Sequence, residues 1–335
     1  MKPTTSKSKA STTLKTGKPK VLTSNNSTYG CSFIEEFIFK NKHKVPLYDV
    51  TTYSAFNQLI GHAKFANSSY GNVYYRGING LFDNVLPSIM RKVKSGKTAG
   101  LENLLDKIYK DNYMFNSMAM VKENPKDAVT IRRFNKYRIE ALLQHYSGNT
   151  RFIDVVDNHW VALWMGLQNF IFRGEGYKNC DCQRREINFA DYYEDTKASP
   201  ALSPDLNIYE YIVLLAMPYG LSKADHGIIE TEDLVEVDLR KALPSIYLRP
   251  HAQHALVIRK KENTDKKKDS SFYDMASQVV AILRIRIDRA SSWLGQGNLV
   301  SKENLFPSPA IDQGYHRLLR RTDLFDNPFE IIKYF

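Results

Sequence analysis

The sequence predicts a single α+β domain, with helices mainly in the first half of the chain and a mostly antiparallel sheet drawn mainly from the second. Three observations carry that expectation. Between residues 51 and 145 apolar side chains recur at three- and four-residue steps, the period of a helix face. From Tyr211 onward short runs rich in Val, Ile and Leu take over, and in one of them Leu283, Ile285 and Ile287 alternate with Arg284, Arg286 and Asp288, as in a half-buried strand. Helices followed by strands, rather than strand–helix–strand units in alternation, argue against a doubly wound parallel sheet.

In order along the chain, residues 1–27 read as a disordered basic tail and residues 28–335 as one domain. Cys31 to Asn41 is a short apolar run. Thr51 to Ala66 carries Tyr53, Phe56, Leu59, Ile60 and Phe65 at helical spacing. Asn72 to Ile78 is rich in aromatic and β-branched residues and closes on Gly77 and Gly80, so it reads as a strand ending in a turn, with Arg76 at its end. Ser88 is placed to cap the segment after Pro87. Ala99 to Met120 and Asp127 to His145 read as helices, the second with Gln144 and His145 in its last turn and Ser147-Gly148-Asn149 as its stop. Thr150 to Val155 runs extended into an apolar helix that reaches Ile171, capped by Asp157 or Asn158. The stretch from Arg173 to Asn207 is a polar insertion. Strands follow at Tyr211 to Met217, Leu234 to Leu239, Ala255 to Arg259 and Val279 to Ile287, with Lys260 to Asp269 as a charged hairpin loop.

The stretch from Leu142 to Phe172 is where a site is expected. A helix apolar on nearly every side is buried, and core packing then holds the loop that feeds it. Gln144, His145, Thr150, Arg151 and Asp154 crowd into that loop. The competing account is that these groups only satisfy one another, since buried polar groups must be paired whether or not they work.

Composition narrows the function classes. The net charge is +11, but Lys2, Lys7, Lys9, Lys15, Lys18 and Lys20 supply six of those charges, leaving the rest of the chain at +5. Nucleic-acid contact is therefore expected to be weak, non-specific and confined to the tail. The longest apolar runs fall well short of the ~20 residues of a membrane span, and the N-terminus lacks the apolar middle of a secretory signal. Three cysteines, Cys31, Cys180 and Cys182, suit a reducing compartment, and their spacing completes no zinc site. A cytoplasmic protein without metal or membrane association is expected.

Several of these stretches together resemble the FRG domain family, named for a Phe/Tyr-Arg-Gly motif: Tyr75-Arg76-Gly77, Leu86-Pro87-Ser88 with Arg91, Gln144-His145-Tyr146 with Gly148, Thr150-Arg151, Asp154, Arg249 to Gln253, and Asn304 to Pro307. The resemblance covers about residues 70–325. Ser147 is inserted before the glycine, and His254-Ala255 stand where the family tends to have a glycine and an aromatic. FRG domains occur in bacterial and mobile-element proteins, some near defence genes, and the resemblance implies little defined chemistry.

A fainter similarity, to ADP-ribosyltransferases, lies in an early strand carrying aromatic-Arg-Gly and a Thr-bearing strand that runs into a buried helix. It implies NAD as substrate and an ADP-ribosyltransferase-like fold. The physics is compatible with it. Guanidiniums such as Arg76, Arg91, Arg151 and Arg249 suit phosphate contacts, and Tyr75 or Trp160 would stack on the cationic nicotinamide ring. Gly77, Gln144 and Thr150 complete the expected ligand-binding set. His145, Asp154 and Gln253 are the candidates for catalysis, with no motif-matched glutamate among Glu210, Glu230, Glu232 and Glu236.

Three function classes follow. The first is an NAD-utilising enzyme, an ADP-ribosyltransferase or NAD hydrolase in defence or toxin action, with a protein or nucleic-acid acceptor. The second is a nucleic-acid-binding module or nuclease, and the third a ligand-sensing or interaction domain without turnover.

Overall fold

The computed structural model describes residues 17–91, 101–103, 105–106, 136–147, 150–173, 186–191, 209–222, 226–262, 269–295, 300–319 and 333–334. Its centre is a 10-stranded sheet. The first half of the chain supplies β1 (Cys31–Ile38), β2 (Lys44–Val50), β3 (Gly71–Ile78) and β4 (Ile153–Val156). Two further strands, β5 (Gln168–Arg173) and β6 (Glu186–Asp191), stand outside this sheet. The second half adds β7 (Tyr209–Pro218), β8 (Leu221–Ser222), β9 (Ile228–Glu230), β10 (Leu234–Asp238), β11 (Ala255–Lys260) and β12 (Val279–Arg286). The spatial order is β1-β2-β12-β7-β3-β4-β11-β10-β9-β8. Every neighbouring pair is antiparallel except β2 with β12.

Both faces of the sheet are covered. On one face Tyr48, Tyr75, Ile212 and Leu283 lie under α1 (Tyr53–Ala66), α4 (His159–Gly166) and α7 (Ile287–Trp293). Val237 and Val257 continue that face under α3 (Lys136–Ser147) and α5 (Leu239–Ala242). The other face carries Tyr74, Val213, Ile258 and Ile282, closed by Phe39, Val85 and Met275. Two-sided burial explains why β7 is apolar along nearly its whole length instead of alternating. Short helices complete the chain: α2 (Ser88–Arg91), α6 (Leu248–Ala252), α8 (Lys302–Leu305) and α9 (Gln313–Leu319).

The α+β class holds, and the strands and helices at Asn72 to Ile78, Thr51 to Ala66 and Tyr211 to Met217 stand within a few residues of their expected places. Four expectations are corrected. The long apolar helix to Ile171 is only eight residues, because Ile153–Val156 pairs with β11 and Gln168–Arg173 pairs with β6. β-branched and aromatic side chains take the extended form where a neighbouring strand offers a ladder. The polar insertion therefore contributes a strand, and β5 and β6 form a small sheet with β13 (Lys333–Tyr334); residues 174–185 and 192–208 lie outside the described residues.

The charged loop after β11 joins no hairpin: β11 sits between β4 and β10, whereas β12 sits between β2 and β7. Finally, the basic tail ends earlier than residue 27. Asn67 brackets the backbone of Lys20, and the buried Leu22 donates its amide to the Val280 carbonyl at 3.0 Å. Most of the helix expected over Ala99 to Met120 lies outside the described residues. No helix among the described residues is long and apolar enough to cross a membrane.

Candidate functional site

Gly77 dictates how closely α4 approaches the sheet. A Cβ at Gly77 would overlap the carbonyl oxygen of Ala162, and one at Gly166 would overlap the Glu210 carboxyl. Asn158 starts the helix by accepting the Trp160 amide at 3.0 Å. The helix thereby lies directly on β3 and fixes the strand that presents Arg76.

The ladder between β3 and β4 is one registered pair, Tyr75 with Val156. Just beyond it the Arg76 guanidinium takes over, donating from Nη1 to the carbonyl of Asp154 at 2.6 Å. The Asp154 side chain then meets the last turn of α3: Gln144 Nε2 donates to its Oδ2 at 2.6 Å. Thr150 Oγ1 donates in turn to Gln144 Oε1 at 2.6 Å and accepts the Phe152 amide at 3.1 Å. Arg76, Asp154, Gln144 and Thr150 form one hydrogen-bonded chain.

His145 lies beside that chain, its Nδ1 3.9 Å from Asp154 Oδ1. Burial lowers its pKa, opposed by Asp154, so the imidazole is neutral near pH 7. Among the described residues its Nε2 is buried without a hydrogen-bond partner, as is Asp154 Oδ1. The Asp154 side chain as a whole is 46 % exposed, so a carboxylate with a spare buried oxygen stands next to a neutral imidazole at the protein surface.

Arg76 also lines a cleft of about 210 Å³ with Arg91, Asn79, Gln168, Phe39 and Phe82. Burial and the neighbouring Arg91, partly offset by Asp154, depress the Arg76 pKa to about 10.

Other expected site residues are placed elsewhere. Arg151 joins a charge network with Glu140 (2.7 Å), Glu262 (3.1 Å) and Glu102. Arg259 shares Glu140 at 2.7 Å and Glu262 at 3.1 Å. Burial pushes Glu140 up, but the Arg151 and Arg259 guanidiniums outweigh it and hold it at about 2. Arg151, expected to contact phosphate, is placed among these three carboxylates.

Arg249 is fully buried, with its guanidinium carbon 4.3 Å from the Tyr146 ring centre and 4.6 Å from that of Tyr315. Its Nη1 donates to the His145 carbonyl at 3.3 Å. Asp312 locks the same region, accepting from the Arg249 amide and the Tyr146 hydroxyl. Gln253, an expected catalytic candidate, donates to the Leu305 carbonyl at 2.8 Å and ties α6 to α8. Tyr75 and Trp160 face away from the cleft: the Tyr75 ring stands edge-on to His159 at 5.7 Å, and Trp160 packs on Phe56. His254 takes φ +50°, the conformation a glycine adopts freely, and its Nδ1 is 3.2 Å from Asp157 Oδ1.

No local pattern points to Glu262, which lies 111 residues from Arg151, or to the cleft wall from Phe39 and Phe82. Cys180 and Cys182 lie outside the described residues, and no group that could hold a metal ion occurs among the described ones.

Residues 71–171 match the family model of the FRG domain. That stretch holds Arg76, Arg91, Gln144, His145, Thr150 and Asp154, whereas Arg249 and Gln253 lie outside it. Comparison with curated proteins and with solved structures finds no match.

Proposed function

We propose, for a chain that carries an FRG domain over residues 71–171, that the Arg76–Asp154–Gln144–Thr150 chain and its cleft form the site of an NAD-utilising enzyme, an ADP-ribosyltransferase or NAD hydrolase of bacterial or mobile-element defence or toxin action. The observation that carries the reading is convergence. Arg76 and Thr150, 74 residues apart in sequence, are joined by three hydrogen bonds through Asp154 and Gln144, and His145 stands alongside.

In this reading the bond between ribose C1′ and the nicotinamide nitrogen breaks with its electron pair passing to the ring, which leaves as neutral nicotinamide. Water or an acceptor hydroxyl bonds to C1′, and its proton passes to the Asp154 carboxylate or the neutral His145. Asp154 also stabilises the positive charge that develops on the ribose, as carboxylates do in glycoside cleavage. Arg76 orients the dinucleotide through its phosphates.

The test is incubation of the purified protein with NAD, following nicotinamide release by chromatography, alongside Asp154→Asn and Arg76→Ala. Release by the wild type and its loss in both variants is expected. No release, together with a melting temperature unmoved by NAD, sinks the reading. A second reading, ligand sensing without turnover, is favoured by one observation: the residues lining the cleft include no Asp or Glu.

A further inference from the structure

Several packed arginines in this protein are neutralised by carboxylates. Arg151, Arg240, Arg259 and Arg284 each sit on a carboxylate within 3.0 Å. Arg76 and Arg91 break that pattern. Neither makes an ion pair within 4 Å among the described residues; Arg76 spends one hydrogen bond on the Asp154 carbonyl and Arg91 one on the Leu86 carbonyl at 2.9 Å. Both face the same cleft.

Two guanidiniums at one concavity repel each other, and the repulsion is stronger there than in open water because the walls are apolar. Burial first and the neighbouring Arg91 second lower the Arg76 pKa, with Asp154 offsetting part of the effect. An anion between them removes the penalty, and a phosphate matches two guanidinium forks better than a carboxylate does, having more oxygens to offer. Phe39 and Phe82, the latter 56 % exposed, add apolar wall beside the charges, and Asn79 and Gln168 add amide donors.

We infer that Arg76 and Arg91 clamp the phosphate of a small organic phosphate, with the carbon skeleton next to that phosphate lying against Phe39 and Phe82. The inference rests on the proposed reading of the Arg76 site and narrows it by adding Arg91 to the phosphate contact. At about 210 Å³ the cleft is smaller than the ~300–1,000 Å³ of sites that enclose a drug-sized ligand. It therefore takes a phosphate with its adjoining sugar and leaves the remainder of a dinucleotide outside. A duplex or a long single strand does not enter it.

Calorimetric titration with inorganic pyrophosphate and with ADP-ribose tests the clamp on wild type, Arg91→Ala, Arg91→Lys and, as a control for lost surface charge, Arg286→Ala. Loss of one charge-assisted contact weakens binding on the order of 10- to 100-fold. That weakening is expected in Arg91→Ala, with a smaller one in Arg91→Lys and none in Arg286→Ala. Pyrophosphate should also raise the melting temperature of wild type and not of Arg91→Ala, which separates lost binding from lost folding. Binding that depends on Arg91 without any NAD cleavage upholds the clamp and removes the NAD reading. NAD cleavage at unchanged kcat/KM in Arg91→Ala upholds the NAD reading and overturns the clamp. Absence of pyrophosphate and ADP-ribose binding to the wild type overturns it too, as does displacement of pyrophosphate by an oligonucleotide but not by ADP-ribose.

Discussion

Glu236 on β10 offers a quantitative test of the packing on the far side of the sheet. It is 4 % exposed and accepts a 2.6 Å hydrogen bond from the Tyr74 hydroxyl. Burial, only partly offset by that bond, pushes its pKa from 4.5 up to about 7. In the window between those values the native protein keeps a proton that the unfolded chain has lost, so stability falls as pH rises. The cost is absent below the unfolded pKa, grows by about 1.4 kcal/mol per pH unit, and levels off above the folded pKa at about 3 kcal/mol. Glu236→Gln retains an oxygen for the Tyr74 hydroxyl and does not titrate. Urea unfolding of both proteins at about pH 5 and about pH 7.5 should therefore show the variant gaining about 2 kcal/mol on wild type between the two conditions. Taking the difference between the proteins cancels every other titrating group. A difference that stays flat with pH would show that Glu236 ionises normally and that the burial argument is wrong.

Three further outcomes are expected. Glu140→Gln removes the carboxylate shared by the buried Arg151 and Arg259 and should cost about 3–5 kcal/mol in chemical denaturation; the stability that Glu140 contributes is present above its unfolded pKa and is lost as pH falls toward about 2. Gly77→Ala drives a methyl group into the Ala162 carbonyl between two packed elements and should cost more than about 2 kcal/mol by thermal melting, with Gly80→Ala, where a Cβ meets nothing closer than 3.8 Å, near neutral. At position 254, His254→Val forces a β-branched residue into φ +50° and should cost more than about 1 kcal/mol, whereas His254→Gly relieves the backbone and stays within about 1 kcal/mol of wild type.

The elements that position the site were largely legible. The aromatic and β-branched run ending in Arg76-Gly77, the helical period that puts Gln144 and His145 in a last turn, and the Asn158 cap are all local signals, and the chain follows them. The helix after Asp154 was overestimated because an apolar stretch with no polar side reads equally as buried helix or buried strand. Its two ends were decided by β11 and β6, which lie about 100 residues and about 20 residues downstream. The apolar run from Cys31 carries no clear strand signal for the opposite reason, although it forms the edge strand β1. With Glu35 and Glu36 at its centre and one face open to solvent, its pattern is too polar for a strand signal, and those charges also protect the edge from pairing with another chain.

The arginines show what no local pattern reveals. Arg76 and Arg151 both follow structured runs, both sit beside the same loop, and both were expected to hold phosphate. Folding separates them by charge balance. Arg151 is surrounded by Glu102, Glu140 and Glu262, gathered from three distant parts of the chain, so a phosphate would have to displace carboxylates already paired. Arg76 donates to a backbone carbonyl and lines the cleft with another arginine, its charge only partly offset by Asp154, so an incoming anion displaces no ion-paired carboxylate. An arginine whose charge the fold leaves only partly compensated costs free energy in the empty protein, and a ligand recovers that cost on binding. By that criterion the proposed anion site falls on Arg76 and Arg91, while the Arg151 network ties the Thr150 turn to α3, whose Gln144 meets Asp154.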